Sequence, residues 1–314
     1  MIDPNFRPIV RLGTRGSALA RHQTELVAKR LRAAWPGLQT GLLVISTKGD
    51  RVLDSPLPLI GGKGLFTQEL EESLLQGRID FAVHSLKDLP TEMPPGLTVG
   101  AILERANPRD ALVCRGDFTL ESLPQGATVG TSSRRRAGQL LHLRPDLRIL
   151  DIRGNVETRI RKVMDPEGPY QATVLALAGL ERLGLTEVIS QVLPLDGMLP
   201  APGQGALAVQ CRDDAPSQEL LAAIHDPATS AAVSGERAFL AGLGGGCAVP
   251  VAAHGWLEGE TLHLRGRVSA LDGKRQIDVV IQGDPRNAQA LGQALAEMAL
   301  AQGAAEILGR EAAE

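Results

Sequence analysis

The sequence predicts an α/β protein of two similar lobes followed by a smaller α+β domain, and three observations carry that expectation. Short apolar runs such as Phe81-Ala82-Val83 alternate with helical patterns, as in chains that build parallel sheets. The strand–turn–helix pattern then restarts near Ala127. After about Ala222 it gives way to a helix, strand-like runs with turns, and an Ala/Leu-rich helix. A chain of 314 residues has room for two or three domains.

In chain order, Pro8–Gly13 reads as a first strand and Thr14-Arg15-Gly16-Ser17 as its exit turn. Ser17 is placed to cap a helix with Leu19, Leu26, Val27 and Leu31 on one face. Leu42–Ile45 reads as a second strand, and Gly61-Gly62-Lys63-Gly64 as a loop before a helix through Leu65, Phe66, Leu70 and Leu74 that stops near Gly77. That loop lacks the spacing and the Lys-Ser/Thr ending of a nucleotide P-loop. Leu97–Ile102 begins a crossing segment, and Arg109–Val113 is the next strand.

In the second half, Ala127–Gly130 is a strand and Thr131-Ser132-Ser133 a hydroxyl-rich helix start; Ile149–Ile152 and Thr173–Leu177 are further strands. Pro200–Gly205 crosses back, and Ala206–Gln210 returns as a strand to the first half. Two α/β lobes joined by two crossings describe a hinged binding-protein architecture. The boundaries expected are 1–103 with 204–222, 104–203, and 223–314. The third domain begins with a helix from Ser230 to Leu240, has turns at Leu257–Glu260 and Asp272-Gly273, and ends in a helix from Ala288.

A net charge of −3 argues against a general nucleic-acid or membrane-surface binder. No apolar run reaches membrane-spanning length, and the first residues lack the apolar core of a signal peptide, so a cytoplasmic protein is expected. Three scattered cysteines, Cys114, Cys211 and Cys247, form no CxxC pair, and six scattered histidines form no metal motif. Cys114 and Cys211 lie within apolar strand patterns and read as core. Four of the five residues before Cys247 are glycine, which leaves that thiol on a loop able to enter a cleft and attack an electrophile.

Two stretches stand out as site candidates. His84-Ser85-Leu86-Lys87-Asp88 follows the Phe81 strand and is stopped by Pro90, at the strand end where α/β sheets bind ligands. Between Thr131 and Asp165 there are eight arginines and one lysine against four acids. A solvated helix face explains part of that excess; a polyanion bound at two helix starts explains it better, because guanidinium forks match carboxylates two bonds at a time. Phosphates satisfy the same geometry. Nucleic acid fits less well, since few aromatics stand nearby for base stacking.

Thr14-Arg15-x-Ser17, Gly61-Gly62-Lys63-Gly64-Leu65-Phe66, Val83-His84-Ser85-x-Lys87-Asp88, Gly130-Thr131-Ser132-Ser133, Arg153-Gly154-Asn155-Val156-x-Thr158-Arg159 and Gly245-Gly246-Cys247 occur in one order. Together they resemble the porphobilinogen deaminase (hydroxymethylbilane synthase) family over essentially the whole chain. The resemblance implies two lobes like type II periplasmic binding proteins and a C-terminal α+β domain carrying the cofactor loop. It also implies a dipyrromethane cofactor bound through a thioether to Cys247, and a monomeric enzyme that joins four porphobilinogens head to tail with release of ammonia. Asp88 would then face pyrrole N–H groups as the catalytic residue. Lys87, Ser133, Arg135, Arg136 and Arg159 would hold the cofactor. Arg15, Ser17, Gln23, Arg153, Arg182 and Gln204 would hold substrate and the growing chain, with Gln204 near the hinge.

That chemistry suits the residues. Loss of ammonia from the aminomethyl group leaves an electrophilic azafulvene, and a carboxylate beside its N–H stabilises the positive charge and relays protons. Each unit added brings an acetate and a propionate, which accounts for the arginine excess. No metal is required. The chain departs from the family in Arg134, where an apolar residue is usual and the side chain is expected to face solvent, and in Gln171 after Tyr170, where an aspartate is common; an altered interlobe contact is the expected consequence. Two other classes remain open at this point: a solute or effector binder on the same lobes, and a thiol enzyme pairing a cysteine with His84 or His254.

Overall fold

The computed structural model describes residues 9–51, 67–245 and 249–310. The glycine loop Gly61–Phe66 and the cofactor loop at Gly246-Cys247-Ala248 lie outside the described residues. Contacts divide the chain into two compact units, Met1–Arg105 with Ala206–Ser230, and Ala106–Gly205 with Ala231–Glu314.

The first unit is built on a five-stranded sheet. Its strands are β1 (Ile9–Thr14), β2 (Gln39–Val44), β3 (Phe81–Ser85), β4 (Leu97–Ile102) and β10 (Leu207–Arg212), in the order β2-β1-β3-β10-β4. β1 runs parallel to β2 and β3, and β10 runs antiparallel to β3 and β4. Leu97–Ile102 is thus a full edge strand of this sheet rather than the start of a crossing, because β10 supplies it a ladder partner. The helix Ala18–Ala34 buries Val27, Ala28 and Leu31 on one face of the sheet with Phe81 and Val209, and the helix Gln68–Leu75 buries Leu70 and Leu74 on the other with Ile79. Burying each such side chain contributes about 1.5–3 kcal/mol.

The second unit repeats the arrangement. β5 (Asp110–Cys114), β6 (Thr128–Gly130), β7 (Arg148–Leu150), β8 (Ala172–Ala176) and β9 (Gln191–Val192) order as β7-β6-β8-β5-β9, with β6 parallel to β7 and β8 and with β5 antiparallel to β8 and β9. In both sheets three parallel strands meet an antiparallel one that follows a crossing, and the C-terminal ends of the parallel strands lie where such sheets bind ligands. β7 stops at Leu150, short of the Ile152 expected, because its neighbour β6 ends at Gly130; Ile152 instead packs with Val163 and Tyr170. Gln171 does local work: its Oε1 accepts from the Thr128 amide (2.8 Å) at the start of β6.

The same unit contains an antiparallel sheet of β11 (Val251–Glu258), β12 (Thr261–Ser269) and β13 (Gln276–Gly283), covered by the helices Pro227–Gly242 and Ala288–Ala301. Phe239 is its largest fully buried side chain and lies over Gly266, where an added Cβ would come within 2.4 Å of the ring. Arg267 ties this sheet to the second five-stranded layer. It is buried, pairs with Asp278 (2.9 Å), and donates to Gln139 Oε1 (3.0 Å) and to the Asp196 and Gly197 carbonyls. Among the described residues, no helix is long and apolar enough to cross a membrane.

Candidate active site

In the first unit, the exits of β1 and β3 gather polar side chains around a cavity of about 70 Å³ that opens to solvent. It is lined by Arg15, Ser17, Gln23, His84, Ser85 and Asp88, among others. Ser17 does cap the helix Ala18–Ala34, accepting from the Ala20 amide (3.2 Å). That bond satisfies one of the helix's free N–H groups and holds the first turn at the cavity. Gln23, one turn further on, is buried and donates to Ser85 Oγ (3.0 Å).

Lys87 and Asp88 sit on the 3₁₀ turn Leu86–Asp88, which Pro90 keeps from becoming a longer helix. Buried Leu86 and Leu89 anchor the turn, and the Leu86 amide donates to the Ala206 carbonyl (3.0 Å). The turn leaves Asp88 exposed and Lys87 half-buried. His84 is buried with its Nε2 3.2 Å from Gln210 Oε1. Burial, assisted by nearby Arg15, lowers its pKa to about 4 against the pull of the Gln210 bond, so the ring is neutral near pH 7. A buried ring of such low basicity, tied to an amide, is a poor base for a thiol.

In the second unit, Ser133 caps the helix Arg134–Leu143, accepting from the Arg136 amide (3.4 Å). Arg134 is half-buried rather than turned fully to solvent, while Arg135 and Arg136 are buried. Both pair with Asp110, which is wholly enclosed. Arg135 Nη1 donates to Oδ2 (2.8 Å) and Arg136 Nη2 to Oδ1 (2.7 Å). Burial alone would raise the Asp110 pKa; the two guanidiniums outweigh it and hold the carboxyl well below the usual range. Gln204 is also fully buried, and its amide donates to the Pro108 carbonyl (2.7 Å) and Asp110 Oδ1 (2.9 Å). These bonds hold the Gln204 amide against the stretch 108–110 that leads into β5.

The remaining arginines lie at two strand exits of this unit. Asn155 caps the helix Val156–Met164, accepting from the Thr158 amide (2.9 Å), with half-buried Arg153 just before it and Arg159 inside its first turns. Arg159 Nε donates to the Gly154 carbonyl (2.9 Å). Arg182, from the helix Leu177–Leu183, donates to the Gly205 carbonyl (2.7 Å). Cys114 and Cys211 are core residues as expected, with burial pushing both thiols up to about 11. Asp110 was not singled out from sequence. The available signal was three consecutive arginines in a half whose strands are otherwise apolar, since a buried guanidinium needs a counter-charge.

A family model described as "Porphobilinogen deaminase, dipyromethane cofactor binding domain" matches residues 10–219, and one described as its C-terminal domain matches residues 230–301. The chain belongs to the porphobilinogen deaminase family. It is 50% identical over 300 residues to the porphobilinogen deaminase of Geobacter sulfurreducens, covering 95% of this chain and 93% of that protein. It is 52% identical over 304 residues to that of Roseiflexus castenholzii, covering 96% and 99%. The reaction is therefore the head-to-tail condensation of four porphobilinogens to hydroxymethylbilane with loss of ammonia, on a dipyrromethane cofactor.

The residues present fit such a cofactor. One Asp110 carboxylate stands between two guanidiniums, which leaves one positive charge over, and Arg136 Nε is buried without a hydrogen-bond partner. A buried unpaired donor on a net cationic pair suits an acetate or propionate carboxylate.

Proposed function

We propose that the porphobilinogen deaminase activity of this chain is divided between the two clusters, with the first-unit cavity receiving porphobilinogen and the Asp110-braced arginines holding the cofactor. The observation that supports this reading is the cavity itself, where one guanidinium, two serine hydroxyls and an amide stand beside one exposed carboxylate. Arg15, Ser17 and Gln23 bind the carboxylates and polar edge of the incoming substrate. Asp88 accepts a hydrogen bond from a pyrrole N–H, stabilises the positive charge left as ammonia departs, and holds the proton at that nitrogen.

Ser133, Arg135, Arg136, Arg159 and Lys87 hold the carboxylates of the dipyrromethane, which when bound supplies the free pyrrole carbon that starts the chain. Cys247 is its point of attachment. Arg153 and Arg182 neutralise the acetates and propionates added later. Gln204 positions Asp110. The protein works as a cytoplasmic monomer of three domains.

Intact mass of the purified protein beside its Cys247→Ser variant tests this assignment. A covalent excess of two pyrrole units on the parent protein alone is the expected result, and the same excess on both proteins would overturn it.

A further inference from the structure

We propose that Thr67 is a further substrate-binding residue, its hydroxyl donating a hydrogen bond to a carboxylate of porphobilinogen in the cavity shared with Arg15. The inference rests on reading that cavity as the substrate subsite. Thr67 stands at the N-cap of the helix Gln68–Leu75, where its carbonyl accepts from the Glu71 amide (2.9 Å) and so starts the helix. Its hydroxyl makes no cap bond, unlike those of Ser17 and Ser133 at their own helices. Thr67 is 1% exposed, its Oγ1 has no partner, and it lines the cavity with Arg15, Ser17 and Asp88.

A buried hydroxyl left unpaired weakens a fold, and such groups in a native protein call for a reason. A ligand oxygen supplies one. Among the described residues, Arg15 is the one cationic side chain lining this cavity, and a carboxylate on it keeps lone pairs free for a hydroxyl donor.

Thr67→Val and Thr67→Ser in the cofactor-loaded enzyme test the inference, with Arg15→Leu as reference. The valine keeps the shape and deletes the hydroxyl. KM for porphobilinogen should rise roughly 10- to 150-fold, the usual worth of a hydrogen bond to a charged group, with kcat little changed. The melting temperature should hold or increase, because an unsatisfied buried group is gone. Thr67→Ser should keep the parent KM. Calorimetric titration with the acetate–propionate pyrrole that lacks the aminomethyl group should show the same loss of affinity in Thr67→Val.

A lowered melting temperature in the valine variant would mean that the hydroxyl serves the fold, and would overturn the inference. A loss seen with porphobilinogen but not with the analogue would overturn the carboxylate assignment. If Arg15→Leu weakens binding and Thr67→Val does not, the subsite stands and Thr67 falls; if neither does, the subsite itself is misplaced.

Discussion

Arg136 Nη2 lies 2.7 Å from Asp110 Oδ1, and both side chains are shut away from solvent. Asp110 opens β5 just after the first crossing, and Arg136 begins a helix that Ser133 caps. The pair therefore joins the start of β5 to the start of that helix, with Arg135 and Gln204 completing the acceptor's coordination.

Asp110→Asn should destabilise the protein by about 3–5 kcal/mol, since two buried guanidiniums would face a neutral amide. Urea unfolding midpoints measure this. The pH dependence has a definite sign. The folded pKa is depressed, so the contribution is complete above the unfolded value of about 3.9 and fades as pH falls below it toward the folded value. The variant should accordingly lose less stability than the parent on acidification below about pH 4.

His84 titrates in the other window. Its folded pKa of about 4 lies below the ordinary 6.5, so the unfolded chain binds the proton more readily and stability falls as pH drops from 6.5 to 4. The difference corresponds to about 3 kcal/mol across that interval. His84→Gln should flatten unfolding free energy between pH 6.5 and 4. The parent enzyme's rate profile between pH 5 and 8 should contain no step from this ring. An imidazole resonance titrating near 6.5 and assigned to His84 would contradict the burial argument.

Much of this architecture was legible in the sequence, because the signals were local. Ser17 and Ser133 announced helix starts, the apolar runs announced strands, and the restart of the pattern near Ala127 announced the second lobe. What the sequence did not show depends on partners distant along the chain. Leu97–Ile102 became an edge strand because β10, more than a hundred residues later, pairs with it. Gln204 and Asp110 are ninety-four positions apart, and no spacing rule brings them together. Nothing in the sequence marks Thr67, since a sequence cannot show that a hydroxyl lacks a partner.

The arginines should separate by role. Arg136→Leu should leave mostly apoprotein, because it removes the buried Nε donor and half of the Asp110 pairing. Arg135→Leu should do the same with a larger loss of stability, as its Nη1 also holds the Leu199 carbonyl (2.7 Å). Arg15→Leu and Arg153→Leu should load cofactor and then stall with partial chains, and Arg134→Leu should do little. Native mass spectra of the five variants distinguish these outcomes.

The cysteines give a cheaper check. Cys114 and Cys211 have thiols raised to about 11, so iodoacetamide at pH 8 should label neither in the folded protein. Cys114→Ala and Cys211→Ala should keep the colour that aldehyde reagents develop with α-free pyrroles, and Cys247→Ser should lack it.

Single-turnover ammonia release from cofactor-loaded Asp88→Asn tests the central claim most directly. The amide still accepts a hydrogen bond from a pyrrole N–H, so fold and loading should survive, while the negative charge and the proton-holding group are lost. General acid–base help is worth about 10²–10⁴ in rate and an electrostatic stabiliser on the order of 10²–10³. Because one residue supplies both, a loss of about a thousandfold is expected rather than their product. Release at near the parent rate would contradict the assignment of catalysis to Asp88.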